Sequence, residues 1–357
     1  MKHSKLIGRR VIKTGVAVFI TAWICRTFDL PVMFAVITAI VTTEPTAADS
    51  IKKGIVRLPA AAIGALFAIV CDLLIGHSAL TYAMVSMLTI VACYRFKLDY
   101  GTLVATLTAV AMIPGTSEGF FIDFFTRLSG TSIGIIVSTL VNFVVLPPKF
   151  GPIVVHKVNQ LFIDTAKEIY QYTEQFPAVS LEDSNPIVHY RTLSQEIDKT
   201  YQLTTFQYDE WKYRKFHLNE KRSFQFLQKK LHILQKTISH IGNLRFIEIS
   251  KQELSRKDIK VIQSSCEAVA MIFEDPLHSI TAEQNSHINE MKTYLTKRLQ
   301  FEQHTNTLHP VTMVFYELLS LLLVAEQLSE LTIKEKQFSN NETTYPKYIF
   351  QNQVQYD

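Results

Sequence analysis

From residue 11 to residue 146 long apolar runs alternate with short polar connections, and beyond Pro147 the apolar positions thin into stripes. A helix needs about 20 apolar residues to cross the hydrocarbon of a bilayer, within a range of roughly 17 to 25. On that measure the runs predict six spans, near 11–28, 31–43, 58–75, 80–94, 98–113 and 128–146. The second, fourth and fifth are short, which points to helices enclosed by protein, local thinning of the bilayer, or a re-entrant segment. In the second half Val158, Leu161, Phe162, Thr165, Ile169 and Tyr172 recur at spacings of three and four, as do Phe224, Leu227, Leu231, Leu234, Ile238 and Ile241. That period predicts a helical bundle, with helices near 152–176, 186–214, 218–250, 256–274, 286–304 and 310–332. The expected architecture is all-α: a six-helix transmembrane domain over 1–146, a cytoplasmic helical bundle over 147–336, and a polar tail over 337–357. The stretch 311–328 is apolar enough to suggest a seventh crossing. Glu317 and Glu326 within it favour a buried bundle or dimer helix instead.

Charge sharpens this division. Up to Leu146 the chain holds 12 Lys and Arg against 7 Asp and Glu, and beyond it 24 against 25, so the positive charge behind the formal net of +4 lies in the first part. Lys and Arg accumulate on the cytoplasmic side of membrane proteins. With the N-terminus inside, the inner connections carry Lys2, Lys5, Arg9, Arg10 and Lys13, then Lys52, Lys53 and Arg57, then Arg95 and Lys97, then Lys149, while the outer ends carry Arg26 and Arg127. The expected placement is therefore the cell membrane, multi-pass, with both termini cytoplasmic and the lipid bilayer as partner. Basic residues so distributed point to membrane rather than nucleic acid. The basic N-terminus before an apolar run resembles a signal peptide, but further apolar segments follow at once and the first is expected to be retained.

Shifted by 70 residues, the first part matches itself at Asp29/Asp99, Ala35/Ala105, Thr38/Thr108, Ala39/Ala109, Thr46/Thr116, Arg57/Arg127, Leu58/Leu128, Ile63/Ile133 and Gly64/Gly134, nine identities over 36 ungapped positions. A repeat of this kind signals duplication. Three crossings per copy is an odd number, so the copies are expected to enter the membrane in opposite orientation, a 3+3 inverted repeat of the sort that in transporters encloses the substrate path. The alternative is a duplicated scaffold that transports nothing.

Charged and strongly polar residues inside spans are costly by about 2.5 kcal/mol or more and usually face a cavity, a partner or a pathway. Asp72 and Asn142 are the deepest such residues expected, with snorkelling or a helix-to-helix hydrogen bond as the plain alternative. Arg57 and Arg127 are expected to begin the third and sixth spans, where a guanidinium beside a helix N-terminus makes a positive mouth for carboxylate or phosphate. Each could equally be an interface anchor. Glu44-Pro45-Thr46 ends the second span, and its freed carbonyls with Glu44 could take a cation or proton or simply stop the helix. Pro114-Gly115-Thr116 is its counterpart. Gly64 and Gly134 read as small residues for close helix packing. Cys25, Cys71, Cys93 and Cys266 have no metal or disulfide spacing, and the 11 histidines lack added ligands, so no metal or cofactor is expected. No phosphate loop or nucleophile elbow appears, and an enzyme is not expected.

The motifs Arg127-Leu-Ser-Gly-Thr-Ser-Ile-Gly134 and Arg57-Leu-Pro-Ala-Ala-Ala-Ile-Gly64 resemble the signature of the fusaric-acid-resistance-like superfamily. Val41-Thr-Thr-Glu-Pro-Thr46, Arg57-Leu-Pro59, Ala111-Met-Ile-Pro-Gly115 and Val145-Leu-Pro-Pro-Lys149 ahead of a soluble tail resemble, more closely, the aromatic acid exporter family 1 of Gram-positive bacteria. The resemblance implies efflux of small organic anions, aromatic ones among them. A chain with one inverted pair is expected to work as a homo-oligomer. The competing expectation is a membrane scaffold or sensor whose cytoplasmic bundle recruits partners.

Overall fold

The computed structural model describes residues 8–113, 120–145, 150–176, 184–213, 218–247, 249, 254–302 and 309–341. The expected Pro114-Gly115-Thr116 break, the Pro147-Pro148 boundary and the tail from 342 lie outside the described residues. Every regular element among them is helical, and contacts divide the chain into two compact units, 1–148 with 208–214, and 149–207 with 215–357.

The first unit holds α1 (Arg9–Thr27), α2 (Val32–Thr42), α3 (Ala47–Ile75), α4 (Ala79–Arg95), α5 (Thr102–Met112, entered through a 3₁₀ turn at Asp99–Gly101) and α6 (Phe120–Val144). Its core is built of small residues, among them Ala35, Ala39, Ala60, Ala65, Ala105 and Ala109, all essentially without exposure. Large apolar side chains point outward instead: Phe19, Trp23, Leu66, Leu74, Ile122 and Leu140 are all more than half exposed. An apolar exterior over a small-residue core suits lipid as solvent and tight helix packing as the cohesive force. Of the six helices, α3 and residues 124–144 of α6 are long and apolar enough to cross a membrane by themselves. Helices α2 and α5, with 11 residues each, reach only about 16 Å of the roughly 30 Å hydrocarbon.

Helix α3 begins at Ala47 rather than near residue 58, and α6 at Phe120 rather than near 128. Lys52, Lys53 and Arg57 end the apolar run, but they are good helix formers and extend the helix beyond it. The expectation that Arg57 and Arg127 stand at helix N-termini is thereby corrected, since each lies two or more turns inside its helix.

The principal packing partners in this unit are α3 with α5 and α2 with α6, α1 with α2 and α4 with α5, α1 with α6 and α4 with α3, and α3 with α6. Exchanging α1, α2, α3 for α4, α5, α6 leaves this set unchanged. Gly64 on α3 lies against Ala105 of α5, where an added Cβ would come within 2.5 Å of the Ala105 carbonyl oxygen. Gly134 on α6 meets the Ala35 carbonyl of α2 still more closely. Both contacts join residues that the 70-residue shift relates. Helices α1 and α4 also end alike: Leu30 N–H donates to Cys25 O and Leu98 N–H to Cys93 O, each at 2.8 Å. The residue before each leucine is left-handed, Asp29 at φ 55° and Lys97 at φ 58°.

The second unit holds α7 (Phe150–Gln175), most of α8 (Ser184–Trp211), α9 (Leu218–Phe246), α10 (Arg256–Glu274), α11 (Ala282–Glu302) and α12 (Pro310–Asn341). Every residue of the two predicted stripes, on α7 and α9, is buried. Helix α7 packs on α9 and α10, and α12 on α9, α10 and α11. Ion pairs fix the register: Arg245–Glu168 joins α9 to α7 and Lys230–Glu335 joins α9 to α12, each at 2.7 Å between nearly inaccessible side chains. By length and composition α12 is a third helix able to cross a membrane, over Pro310–Phe338, but 56% of its apolar window is buried inside this unit, against 33% for α3. Its acids have partners here: Glu317 binds His240 at 2.5 Å and Asn243 at 2.8 Å, and Glu326 binds Lys292 at 2.7 Å.

Candidate functional site

Between α2 and α3 the chain leaves helical geometry for four residues, 43–46, and Thr43 is extended with φ −72° and ψ 105°. Thr46 caps α3, its hydroxyl accepting the Asp49 N–H at 3.0 Å, while the Ala47 N–H donates to Glu210 Oε1 at 2.7 Å. Capping of this type satisfies helix donors that lack an internal acceptor. The Glu44 carbonyl, and the Thr46 carbonyl that also accepts the Ser50 N–H at 3.2 Å, both face Asn142, on α6 and fully buried. Its Nδ2 donates to Glu44 O and Thr46 O, both at 2.9 Å, and lies 2.7 Å from Ser50 Oγ. Its Oδ1 accepts from Lys13 Nζ of α1 at 2.7 Å. The Thr42 and Ser138 hydroxyls meet 2.5 Å apart just above, tying α2 to α6.

With its backbone held this way, Glu44 turns its carboxylate to α3. Lys53 and Arg57 lie four residues apart on one helix face, and both pair with it, Lys53 Nζ to Oε2 at 2.8 Å and Arg57 Nη2 to Oε1 at 2.6 Å. Arg57 is 7% exposed. Its Nε donates to Tyr100 O at 3.3 Å, and its buried Nη1 has no hydrogen-bond acceptor. The Tyr100 ring lies 5.6 Å below Lys53 Nζ. Two cations thus share one carboxylate, and the guanidinium edge formed by Nη1 and Nη2 is half used. A carboxylate already neutralised by Arg and Lys offers little to a metal ion, so the cation-binding expectation at Glu44 gives way to an ion pair. Among the described residues no group of three His, Cys, Asp or Glu side chains is placed to hold a metal.

The structure thus brings Glu44, Thr46, Arg57 and Asn142 together and leaves Asp72 and Arg127 elsewhere. Asp72 lies 15 residues beyond Arg57 on α3, about 22 Å along the axis, where it pairs with His77 Nδ1. Arg127 precedes Asn142 by the same interval on α6; its Nη1 donates to Ala111 O, and its guanidinium lies 4.7 Å from the Phe34 ring centre. Gly64 and Gly134 stand at the close contacts of α3 with α5 and of α6 with α2.

Sequence reasoning counted Lys13 and Lys53 as mere topology signals and passed over Ser50, Tyr100 and Glu210. A lysine two residues into an apolar run, as Lys13 is, was the readable clue. Glu210 sits in the charged stretch Asp209-Glu-Trp-Lys212 and carries no signal that sets it apart.

Residues 5–145 match the family described as aromatic acid exporter family member 1. The chain is 46% identical over 350 residues to a UPF0421 protein of Halalkalibacterium halodurans, covering 98% of this chain and 96% of that one. A UPF0421 protein of Bacillus cereus is 38% identical over 349 residues, covering 96% of this chain and 98% of its own, and one of Staphylococcus saprophyticus is 41% identical over 250 residues, covering 69% and 75%. With these relatives at 46% and 38% identity over nearly their whole length, the chain belongs to the UPF0421 proteins of Gram-positive bacteria, and its residues 5–145 match the aromatic acid exporter family.

Proposed function

We propose that this protein exports small organic anions, aromatic carboxylates above all, across the cell membrane. The carrying observation is the buried network at the α2–α3 break, where Arg57 and Lys53 present two cations to one carboxylate and the Arg57 Nη1 has no acceptor. In a site shielded from water such cations favour an anionic guest. The six helices of the first unit form two three-helix copies of opposite orientation, with both termini cytoplasmic. Support comes from the contact pattern that survives exchange of the copies, from Gly64 and Gly134 seated on Ala105 and Ala35, and from the common ending of α1 and α4. In this arrangement Arg57 and Arg127 mark opposite mouths of the path, and the short α2 and α5 are the broken middle helices that line it. The bundle after residue 147 lies in the cytoplasm, and a second copy completes the enclosure of the path.

The test is resistance. A strain lacking the gene, challenged with a panel of aromatic acids, regains growth with the wild-type gene but not with Arg57→Ala or Arg127→Ala expressed at equal levels. Wild-type growth with both variants removes the site and favours a scaffold that transports nothing.

A further inference from the structure

Arg57 is buried, and a buried guanidinium stripped of its counter-ion is expensive. Its partner, Glu44, stands on a non-helical link whose backbone is fixed by Asn142, leaving the side chain as the moving part. The pairing is also incomplete. Glu44 engages Nη2 alone, whereas the planar Nη1/Nη2 edge accommodates both oxygens of a carboxylate. We propose that Glu44 is a resident stand-in for the substrate's carboxylate: substrate displaces it from Arg57 and Lys53, and its return drives the substrate off. The inference rests on the transport reading above and adds a release step to it. Without a returning anion, a carboxylate held bidentately by a buried arginine leaves slowly, because its departure leaves the charge unpaired. Position 114, the counterpart of Glu44 under the 70-residue shift, is proline, so the exchange operates at one mouth only.

The experiment reconstitutes the full chain in liposomes and measures transport of radiolabelled benzoate. Glu44→Gln keeps the shape but not the charge, and lowers both KM and kcat, each by about tenfold, the equivalent of one charge-assisted hydrogen bond. A side chain that serves only to hold the fold raises KM or leaves it unchanged. Glu44→Asp keeps a weaker, shorter-reaching competitor and lowers KM about threefold with kcat near wild type, so it decides the matter if the Gln variant does not fold. Arg57→Ala abolishes saturable transport. If Arg57→Ala is inactive while neither Glu44 variant lowers KM, the exchange is wrong and the site stands. Wild-type kinetics in Arg57→Ala sinks both.

Discussion

Removing the Asn142 amide strikes the first unit where three helices and the α2–α3 link meet. Asn142→Ala deprives the Glu44 and Thr46 carbonyls of their 2.9 Å donor and Lys13 of its 2.7 Å side-chain acceptor; the Thr46 carbonyl keeps the Ser50 N–H at 3.2 Å and Lys13 the backbone carbonyl of residue 142 at 3.4 Å. Each buried polar group left unsatisfied costs roughly 1–3 kcal/mol, and more for a charge. With the Glu44 carbonyl as the group that loses most, the cost is about 2 kcal/mol. For a unit of this size each kcal/mol moves the melting midpoint by roughly 2–4 °C, so a drop of about 6 °C is expected. The unit carries its own reporters, because Cys25, Cys71 and Cys93 are buried in it and the fourth cysteine, Cys266, lies in the other. In a Cys266→Ser background, the temperature at which a fluorogenic maleimide gains access to these thiols reports the first unit alone. Asn142→Asp preserves the acceptor for Lys13 but cannot donate to the carbonyls, and its midpoint falls between wild type and Asn142→Ala. A midpoint for Asn142→Ala within about 2 °C of wild type refutes the network as a structural tie.

Gly64→Ala and Gly134→Ala push a methyl group into the Ala105 and Ala35 carbonyls and each cost about 1–3 kcal/mol. Gly130→Ala, whose Cβ meets nothing closer than 3.5 Å, is near neutral in the same thiol assay. In the second unit His278 is buried, its ring tilted against Phe162 with ring centres 4.4 Å apart, and burial, reinforced by the Lys230 charge, lowers its pKa from 6.5 to about 4. The unfolded chain therefore binds the extra proton first. The stability this histidine contributes is intact above pH 6.5 and falls as the pH drops towards 4, by up to about 3 kcal/mol. Exposure of the Cys266 thiol against pH measures this, and His278→Asn flattens the profile.

The second unit was readable because a bundle closed around its own core buries one face of every helix, and the stripes on α7 and α9 name that face residue by residue. In the first unit large apolar residues turn outward and small ones fill the core, and hydropathy locates helices without fixing their ends. Helix α3 illustrates the loss: hydropathy stops at Arg57, yet Thr46-Ala-Ala-Asp49 has the spacing of a helix cap and marks the true start. The endings of α1 and α4, Cys25-x-x-Phe28-x-Leu30 and Cys93-x-x-Phe96-x-Leu98, differ by 68 residues rather than 70, so an ungapped comparison misses them. Of the site, Glu44, Thr46, Arg57 and Asn142 stood out as polar residues in apolar surroundings. That they converge depends on α6 running back past the α2–α3 break, which no local pattern encodes. The same geometry explains why Asp72 and Arg127 lie elsewhere, each about 22 Å along its helix from Arg57 or Asn142.

Opposite orientation of the two three-helix copies is the claim on which the transport path depends. Lys52 and Ile122 are both exposed and separated by 70 residues, which makes them equivalent positions of the two copies. In a background with the four native cysteines replaced, a membrane-impermeant maleimide applied to intact cells should label Ile122→Cys at once and Lys52→Cys only after permeabilisation. Labelling of both from the same side contradicts the inversion, and with it the path between the copies.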